Sequence, residues 1–93
     1  MTPATIGLVA ERFKALGEPA RLRILQSLCD GERCVSELEE DTGLNQANLS
    51  RHLQVLSATG LVSRRKDGLF VYYALADRSV LRMCELMCGR LKN

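Results

Sequence analysis

One stretch of the chain, residues 44–60, carries short polar side chains at the spacing of a helix face. The side chains on that face recur at intervals of three and four: Ala47, Ser50, Arg51 and Gln54. Residues 44–61 contain no aspartate or glutamate, whereas an ordinary solvated helix surface mixes acids with bases. Amide, hydroxyl and guanidinium groups are the groups that bind base edges and phosphates in DNA. The stretch therefore favours contact with DNA over a plain solvated surface.

A leucine stripe on the other side of the same stretch would anchor this polar face. Three leucines recur there at spacings of four and three: Leu49, Leu53 and Leu56. A short helix is expected before it, over residues 35–42, where Ser36 and Glu39 have the spacing of a capping box. Gly43 turns the chain, and Asn45 can cap the next helix. Two helices joined by a turn of about three residues that contains glycine form the helix-turn-helix pattern.

The chain changes its hydrophobic period after Gly60. Two strand-like runs, residues 61–66 and 69–75, flank Asp67-Gly68, which is a strong signal for a two-residue hairpin loop. Three consecutive cations lie next to the tip: Arg64, Arg65 and Lys66. A hairpin with a basic tip after a helix-turn-helix is the wing of a winged helix, and its cations are expected to contact phosphates.

Helices at both ends of the chain carry apolar residues beyond one face. The first, residues 4–16, has a stripe that is expected to be buried: Ile6, Val9, Phe13 and Leu16. The last, from Asp77 onward, has a similar stripe: Val80, Cys84, Met87 and Leu91. Between them a helix over about residues 19–29 turns Arg21 and Arg23 outward. Excess apolar surface on the first and last helices predicts a dimer interface.

These elements predict one mainly α domain with a β-hairpin wing, over residues 1–93. We expect an α+β winged helix-turn-helix with about five helices, paired through its first and last helices. The net charge is only +2, so any nucleic-acid surface must be local. No apolar run approaches membrane-spanning length and no signal-peptide pattern begins the chain, which favours the cytoplasm. An enzyme is not expected, because Cys34 and His52 lack a third orienting group and no phosphate-binding loop occurs.

Four pieces of the chain carry a family resemblance. They are LGEPARLRIL at 16–25, GERCVSEL at 31–38, GLNQANLSRHLQVLSATGLV at 43–62 and DGLFVYYAL at 67–75. In these pieces the chain resembles the ArsR/SmtB family of bacterial metal-responsive repressors. The resemblance implies a homodimer that binds an imperfect palindrome in double-stranded DNA over a promoter and leaves it when an inducer arrives. It implies no required cofactor.

The resemblance also implies roles by position. The residues that match the family's groove-contacting positions are Gln46, Ala47, Asn48, Ser50 and Arg51. Gln54, on the same face, and the three wing cations complete the predicted DNA-contact set. The family often has Ser-Gln-Pro-Thr where this chain has residues 45–48, Asn-Gln-Ala-Asn, so its operator preference is expected to differ. His52 matches a common histidine of the family and is interpreted as a packed or phosphate-contacting residue.

Four cysteines in so short a chain favour a sensing role: Cys29, Cys34, Cys84 and Cys88. Family members that sense arsenite often have Cys-Val-Cys where this chain has Cys34-Val35-Ser36, so that site is incomplete, because a serine is a poor ligand for a thiophilic ion. The zinc-sensing pattern is excluded, since no histidine follows Asp77. Cys84 and Cys88 are four residues apart on one helix, close enough to share a soft ion.

Two mechanisms remain open for the inducer. In the first, arsenite, antimonite, cadmium or lead binds Cys84, Cys88 and Cys34, with Cys29 a weaker candidate. In the second, an oxidant or sulfane sulfur links two thiols. Family members that respond to persulfides pair a cysteine of the second helix with one near the C-terminus. Cys29 and Cys88 come nearest, but the usual positions are Gln26 and about Lys92, which favours the ion.

Overall fold

Five α-helices and a three-stranded antiparallel sheet make up the computed structural model, which describes residues 1–91. The helices are α1 (Pro3–Leu16), α2 (Pro19–Ser27), α3 (Val35–Thr42), α4 (Gln46–Ala58) and α5 (Ser79–Leu91). The strands are β1 (Arg33–Cys34), β2 (Val62–Asp67) and β3 (Phe70–Leu75), in the order β1-β3-β2. The predicted winged helix-turn-helix is confirmed.

The core is built around the leucine stripe of α4. Leu49, Leu53 and Leu56 are at most 2% exposed. They pack in one cluster with leucines and an isoleucine from the neighbouring elements: Ile24, Leu25, Leu28, Leu38 and Leu61. Burial of each such side chain stabilises the fold by about 1.5–3 kcal/mol, so α4 is held firmly by its inner side. Its outer side is left free for other contacts.

The first turn of α3 is capped two residues earlier than the sequence indicates. The backbone N–H of Cys34 donates to Oε1 of Glu37 at 2.9 Å, so Cys34 and Glu37 occupy the positions expected of Ser36 and Glu39. The reason is that β1 ends at Cys34 and leaves its N–H at the helix start. Cys34 therefore lies where the sheet meets the helix-turn-helix.

Helix α1 is hardly covered by its own chain. Ala15 is its only buried residue, while Ile6 and Phe13, expected in a buried stripe, are 51% and 57% exposed. The stripe exists, but in one protomer nothing packs over most of it. Because isolated helices of this length are marginal in water, α1 needs further packing to be stable. No helix of residues 1–91 combines the length and the apolar character needed to cross a membrane.

Candidate nucleic-acid interface

The turn between α3 and α4 is built as the sequence predicts. Gly43 takes a left-handed conformation, with φ of 73°, and its N–H donates to the carbonyl of Glu39 at 2.9 Å. Asn45 then caps α4, because its Oδ1 accepts from the N–H of Asn48 at 2.9 Å. These two local contacts fix the direction in which α4 leaves α3. They also leave the first turn of α4 at the protein surface.

The polar face of α4 points away from the core. Its exposed members are Gln46, Ala47, Ser50, Arg51 and Gln54, and Asn48 is half-buried beside them. Nη2 of Arg51 donates to Oδ1 of Asn48 at 3.1 Å, which orients the guanidinium along the helix surface. The face thus offers amide and hydroxyl groups around one cation with no carboxylate on the helix. Its role in base contact stays a prediction.

A side-chain network holds the inner side of α4 at His52. His52 is 7% exposed, and its Nδ1 lies 3.3 Å from Nη1 of Arg21. Since a guanidinium only donates, Nδ1 accepts and the ring proton sits on Nε2, 3.7 Å from a carboxylate oxygen of Glu18. Arg21 also donates to the carbonyls of Ala15 and Lys14 at the end of α1. The network joins α4 to the junction of α1 and α2, and the outward interpretation of Arg21 is wrong.

Burial lowers the pKa of His52, with an opposing contribution from Glu18 and smaller lowering ones from Arg51 and Arg21. In the unfolded chain this histidine has a pKa of about 6.5. As the pH falls through that value the unfolded state takes up a proton that the folded state resists. The folded state should therefore lose stability as the pH drops from above 6.5 toward the lower folded pKa, and the loss is complete below it.

Thermal unfolding between pH 7.5 and 5.5 would measure this loss. His52 is the only histidine in the chain, so the variant His52→Gln should flatten the dependence of melting temperature on pH in that window. An unchanged slope in the variant would show that another group is responsible.

The wing turns one residue later than the sequence indicates. Asp67 pairs with Phe70 at the end of the ladder, so the two loop residues are Gly68 and Leu69 rather than Asp67 and Gly68. Gly68 has a φ of 61°, and every residue with positive φ among residues 1–91 is a glycine. A glycine at the first loop position and an ordinary residue at the second match a type II′ turn. Leu69 therefore stands at the apex, 98% exposed.

The three wing cations do not share one environment. Side chains alternate across a strand, so Arg65 lies on one face of β2 and Arg64 and Lys66 on the other. Arg65 pairs with Glu32 at 2.6 Å and with Asp67 at 3.5 Å. Arg64 and Lys66 are exposed, and neither forms an ion pair within residues 1–91. The interpretation of Arg65 as a phosphate contact stays a prediction, but its guanidinium is already paired in this structure.

The cysteines fall into different surroundings. All four are free thiols; Cys29, Cys34 and Cys84 are half-buried and Cys88 is exposed. Burial raises the pKa of Cys84, and Cys29 raises it further. The ligand set expected from the sequence contains both Cys29 and Cys84, but the two-thiol combinations expected there are Cys84 with Cys88 and Cys29 with Cys88. Cys34 lies elsewhere, with Sγ 3.2 Å from Oγ of Ser36.

No three-ligand metal cluster is formed within the described part of one chain. Among residues 1–91, no group of three or more His, Cys, Asp or Glu side chains is arranged to hold a metal ion. The assignment of Cys34, Cys84, Cys88 and Cys29 as ligands of one ion therefore has no preformed site in the protomer and stays a prediction. Lys92, near the usual persulfide-responsive position, lies outside the described residues.

Apolar residues remain exposed on α1 and α5. On α5 they form a stripe that projects away from the core: Met83, Leu86, Met87 and Leu91. Leu86 is 74% exposed, whereas Val80 at the start of the helix is 3% exposed and belongs to the core. Ile6, Leu8 and Phe13 of α1 are exposed as well, and Phe13 lines one cavity together with Met83 of α5. The exposed apolar residues of both helices are called here the α1–α5 face.

A short helix, a capped turn, a helix with an exposed polar face and a basic hairpin together define a winged helix-turn-helix DNA-binding protein. The family model for bacterial regulatory proteins of the arsR family matches residues 18–64. The chain belongs to this family, whose members are transcriptional regulators and not enzymes.

Individual relatives agree with this assignment. The chain is 47% identical over 77 residues, covering 82% of it and 68% of the relative, to the uncharacterized HTH-type transcriptional regulator Rv0081 of Mycobacterium tuberculosis. The crystal structure of Rv0081 matches 99% of this chain and 92% of its own with a TM-score of 0.83 at 38% identity. The solution structure of the homodimeric winged helix-turn-helix domain Mb0332 from Mycobacterium bovis matches 96% of this chain and 82% of its own with a TM-score of 0.84 at 37% identity. The arsenical resistance operon repressor of Bacillus subtilis is 38% identical over 81 residues, covering 84% of this chain and 77% of that protein.

Proposed function

We propose that the protein is a homodimeric repressor that binds a palindromic operator and releases it when an inducer reacts with its cysteine thiols. The observation that carries the DNA-binding part is the exposed face of α4, which offers Gln46, Ser50, Arg51 and Gln54 and no acid. Arginine binds guanine edges through two hydrogen bonds, and glutamine binds adenine in the same way. Arg64 and Lys66, exposed on one face of β2, supply phosphate contacts.

The dimer part of the proposal is supported by the α1–α5 face. A helix of 14 residues with one buried residue would not persist without a cover, and a second copy supplies the same apolar surface by two-fold symmetry. The homodimeric state of the Mycobacterium bovis relative supports the same arrangement. Two copies of α4 would then enter successive major grooves about 34 Å apart, which sets the spacing of the half-sites.

The inducer is proposed to act on Cys29 and Cys84. Cys29 follows α2, and Nη2 of Arg78 fixes its carbonyl at 3.1 Å, while Cys84 lies on α5. A soft ion bound by both thiolates would tie α2 to a helix of the α1–α5 face. That tie can change how two protomers lie against each other and so the spacing of their α4 helices. An inducer releases DNA only if it binds the DNA-free arrangement of the dimer more tightly than the DNA-bound one. A tenfold loss of DNA affinity requires a difference of about 1.4 kcal/mol between these two binding free energies.

Arsenite is the inducer that this proposal favours, since the arsenical repressor of Bacillus subtilis is a relative and thiolates bind such soft ions. The alternative is oxidation of the same two thiols. A persulfide would accept both electrons, so that a disulfide forms while one thiol and one hydrogen sulfide leave. The lack of a three-ligand cluster among residues 1–91 supports this alternative as well, because a disulfide needs only two thiols.

Release of operator DNA would test the proposal. Reduced protein bound to a fluorescent fragment of its own promoter should release it on adding arsenite or cadmium, with affinity reduced about 5- to 150-fold. C29S and C84S should abolish the response, while C34S and C88S, which remove equivalent thiols elsewhere, should keep it. Thiolate absorption of the complex would report binding directly.

The control arm replaces the ion by a persulfide. If persulfide releases the DNA and the ions do not, the oxidation mechanism is favoured. The mass of the wild-type protein should then fall by two hydrogens, and the mass of C29S should not. Release by neither agent at millimolar concentration, from a protein that binds the promoter, would contradict the thiol-based inducer altogether.

A further inference from the structure

A two-point ion pair crosses the sheet at the base of the wing. Arg65 of β2 donates from Nη2 to Oε1 of Glu32 at 2.6 Å and from Nε to Oε2 of the same carboxylate at 3.3 Å. Glu32 directly precedes β1, and β1 and β2 lie on opposite sides of β3. The pair therefore joins the two edge strands of the sheet over the top of its central strand.

An aromatic ring supports this crossing from below. Tyr72 of β3 pairs with Cys34 of β1 on one side and with Arg65 of β2 on the other. The guanidinium carbon of Arg65 lies 4.6 Å from the centre of the Tyr72 ring, which is within the range of a cation–π contact. Phe70 stands 6.4 Å from Tyr72, centre to centre, and extends the apolar surface toward the tip of the hairpin.

The contacts of Arg65 are unlike those of an isolated surface ion pair. The side chains of Arg65 and Glu32 are 52% and 42% exposed. A single ion pair between side chains so exposed contributes little to the stability of a fold. Two parallel hydrogen bonds and a ring face, however, fix a guanidinium in one plane, and Asp67 adds a third carboxylate oxygen at 3.5 Å. Hydrogen bonding to Glu32 raises the pKa of Arg65 further above its usual value.

A phosphate would meet an unfavourable setting at Arg65. It would have to displace Glu32 or come to lie beside the carboxylates of both Glu32 and Asp67, which repel it. On the other face of β2, Arg64 and Lys66 carry no paired carboxylate in the described chain and face Tyr73 and Val71 of β3. The hairpin thus divides its three cations between one that is held and two that are available.

We propose that Arg65 is a positioning residue which, with Glu32 and Tyr72, anchors the wing to the segment that begins α3 and so sets where Arg64 and Lys66 stand relative to α4. This proposal rests on the proposed DNA-binding function. Because β1 runs straight into α3, the anchor couples the angle of the hairpin to the helix-turn-helix itself. Glu32 and Tyr72 contribute to operator binding in this scheme without touching DNA.

Salt dependence separates an anchor from a phosphate contact. Removing one phosphate-binding cation reduces the slope of log affinity against log salt by about 0.9. For an anchor, E32Q and R65Q should each weaken operator binding about threefold to fivefold with the slope unchanged, and the double variant should be no weaker than either. The matched variants R64Q and K66Q should instead lower the slope and weaken operator and random duplex alike.

Charge reversal tests whether the ion pair can be restored, and substitutions of Tyr72 test the contribution of its ring. E32R combined with R65E restores an ion pair in the opposite sense and should recover part of the affinity that either change alone removes. Tyr72→Phe should bind as wild type, whereas Tyr72→Leu, which removes the ring face, should resemble R65Q. Circular dichroism and melting temperature would show that each variant is folded.

Backbone relaxation by NMR tests the anchor without any DNA. Order parameters of residues 64–71 should fall in E32Q and R65Q and recover in the reversed pair. Unchanged order parameters in these variants would overturn the anchor role of Arg65. Tighter operator binding by E32Q, with a steeper slope of log affinity against log salt, would also overturn it and would show that Glu32 competes with phosphate for Arg65. Failure of wild type to prefer any promoter fragment over random duplex would instead count against the proposed function, while the relaxation result would still decide the anchor.

Discussion

Replacing Arg51 by alanine should weaken operator binding at least tenfold and leave binding to random duplex nearly unchanged. Arg51 is exposed in the acid-free face of α4, and Asn48 orients its guanidinium through a 3.1 Å hydrogen bond. A two-point contact of arginine with a guanine edge discriminates against other bases by about 1–3 kcal/mol. A dimer makes two such contacts, so the combined effect would exceed a hundredfold if both contributions are near 2 kcal/mol. Fluorescence anisotropy on specific and scrambled fragments at one salt concentration would measure it.

Two matched variants separate base recognition from charge. Arg51→Lys keeps the cation but removes the planar fork, so it should behave nearly as poorly as Arg51→Ala on operator. Arg23→Ala removes the same charge from an exposed position on α2 and should reduce affinity slightly and equally for all DNA. If Arg51→Ala bound operator as tightly as wild type, the placement of α4 in the major groove would be wrong.

The elements that hold this face could be predicted because their signals are local in sequence. The leucine stripe of α4, the left-handed Gly43 and the cap at Asn45 each depend on residues at most four positions apart, and the structure contains all three. The exposure of the polar face follows from the burial of the stripe. Its contacts with bases remain a prediction, because a face of the right composition does not by itself identify what it touches.

Features that depend on strand register, or on residues far apart in the sequence, could not be predicted from local sequence patterns. Asp67-Gly68 is a good loop pair, but ladder pairing of Asp67 with Phe70 moves the loop to Gly68 and Leu69. Arg65 and Glu32 are separated by 33 positions, and Arg21 and His52 by 31. Sequence periodicity contains no information on such pairs, so it groups Arg65 with its neighbours and places Arg21 outward. For the same reason it does not indicate that Cys29 affects the pKa of Cys84.

Replacing Leu86 by glutamate should convert the protein to a monomer and reduce operator affinity more than about a hundredfold, the range by which linked half-site binding exceeds single binding. Leu86 is 74% exposed in the protomer and lies centrally in the apolar stripe of α5. In a dimer built on the α1–α5 face the carboxylate would be buried without a partner, which is strongly unfavourable. Sedimentation equilibrium would give the mass of the species, and anisotropy on a full palindrome would give its affinity.

The exposure of Leu86 also makes this change informative, because the substitution leaves the core of the protomer intact. Leu86→Met, similar in size and uncharged, should remain dimeric and bind operator as wild type, which isolates the charge as the cause. The glutamate variant should lose part of its helical content, because α1 loses its cover, and its remaining core should melt at a lower temperature. If the glutamate variant is still dimeric and still binds the palindrome, the dimer interface lies on a surface other than the α1–α5 face. Contacts at that other surface would then set the two-fold arrangement of the α4 helices.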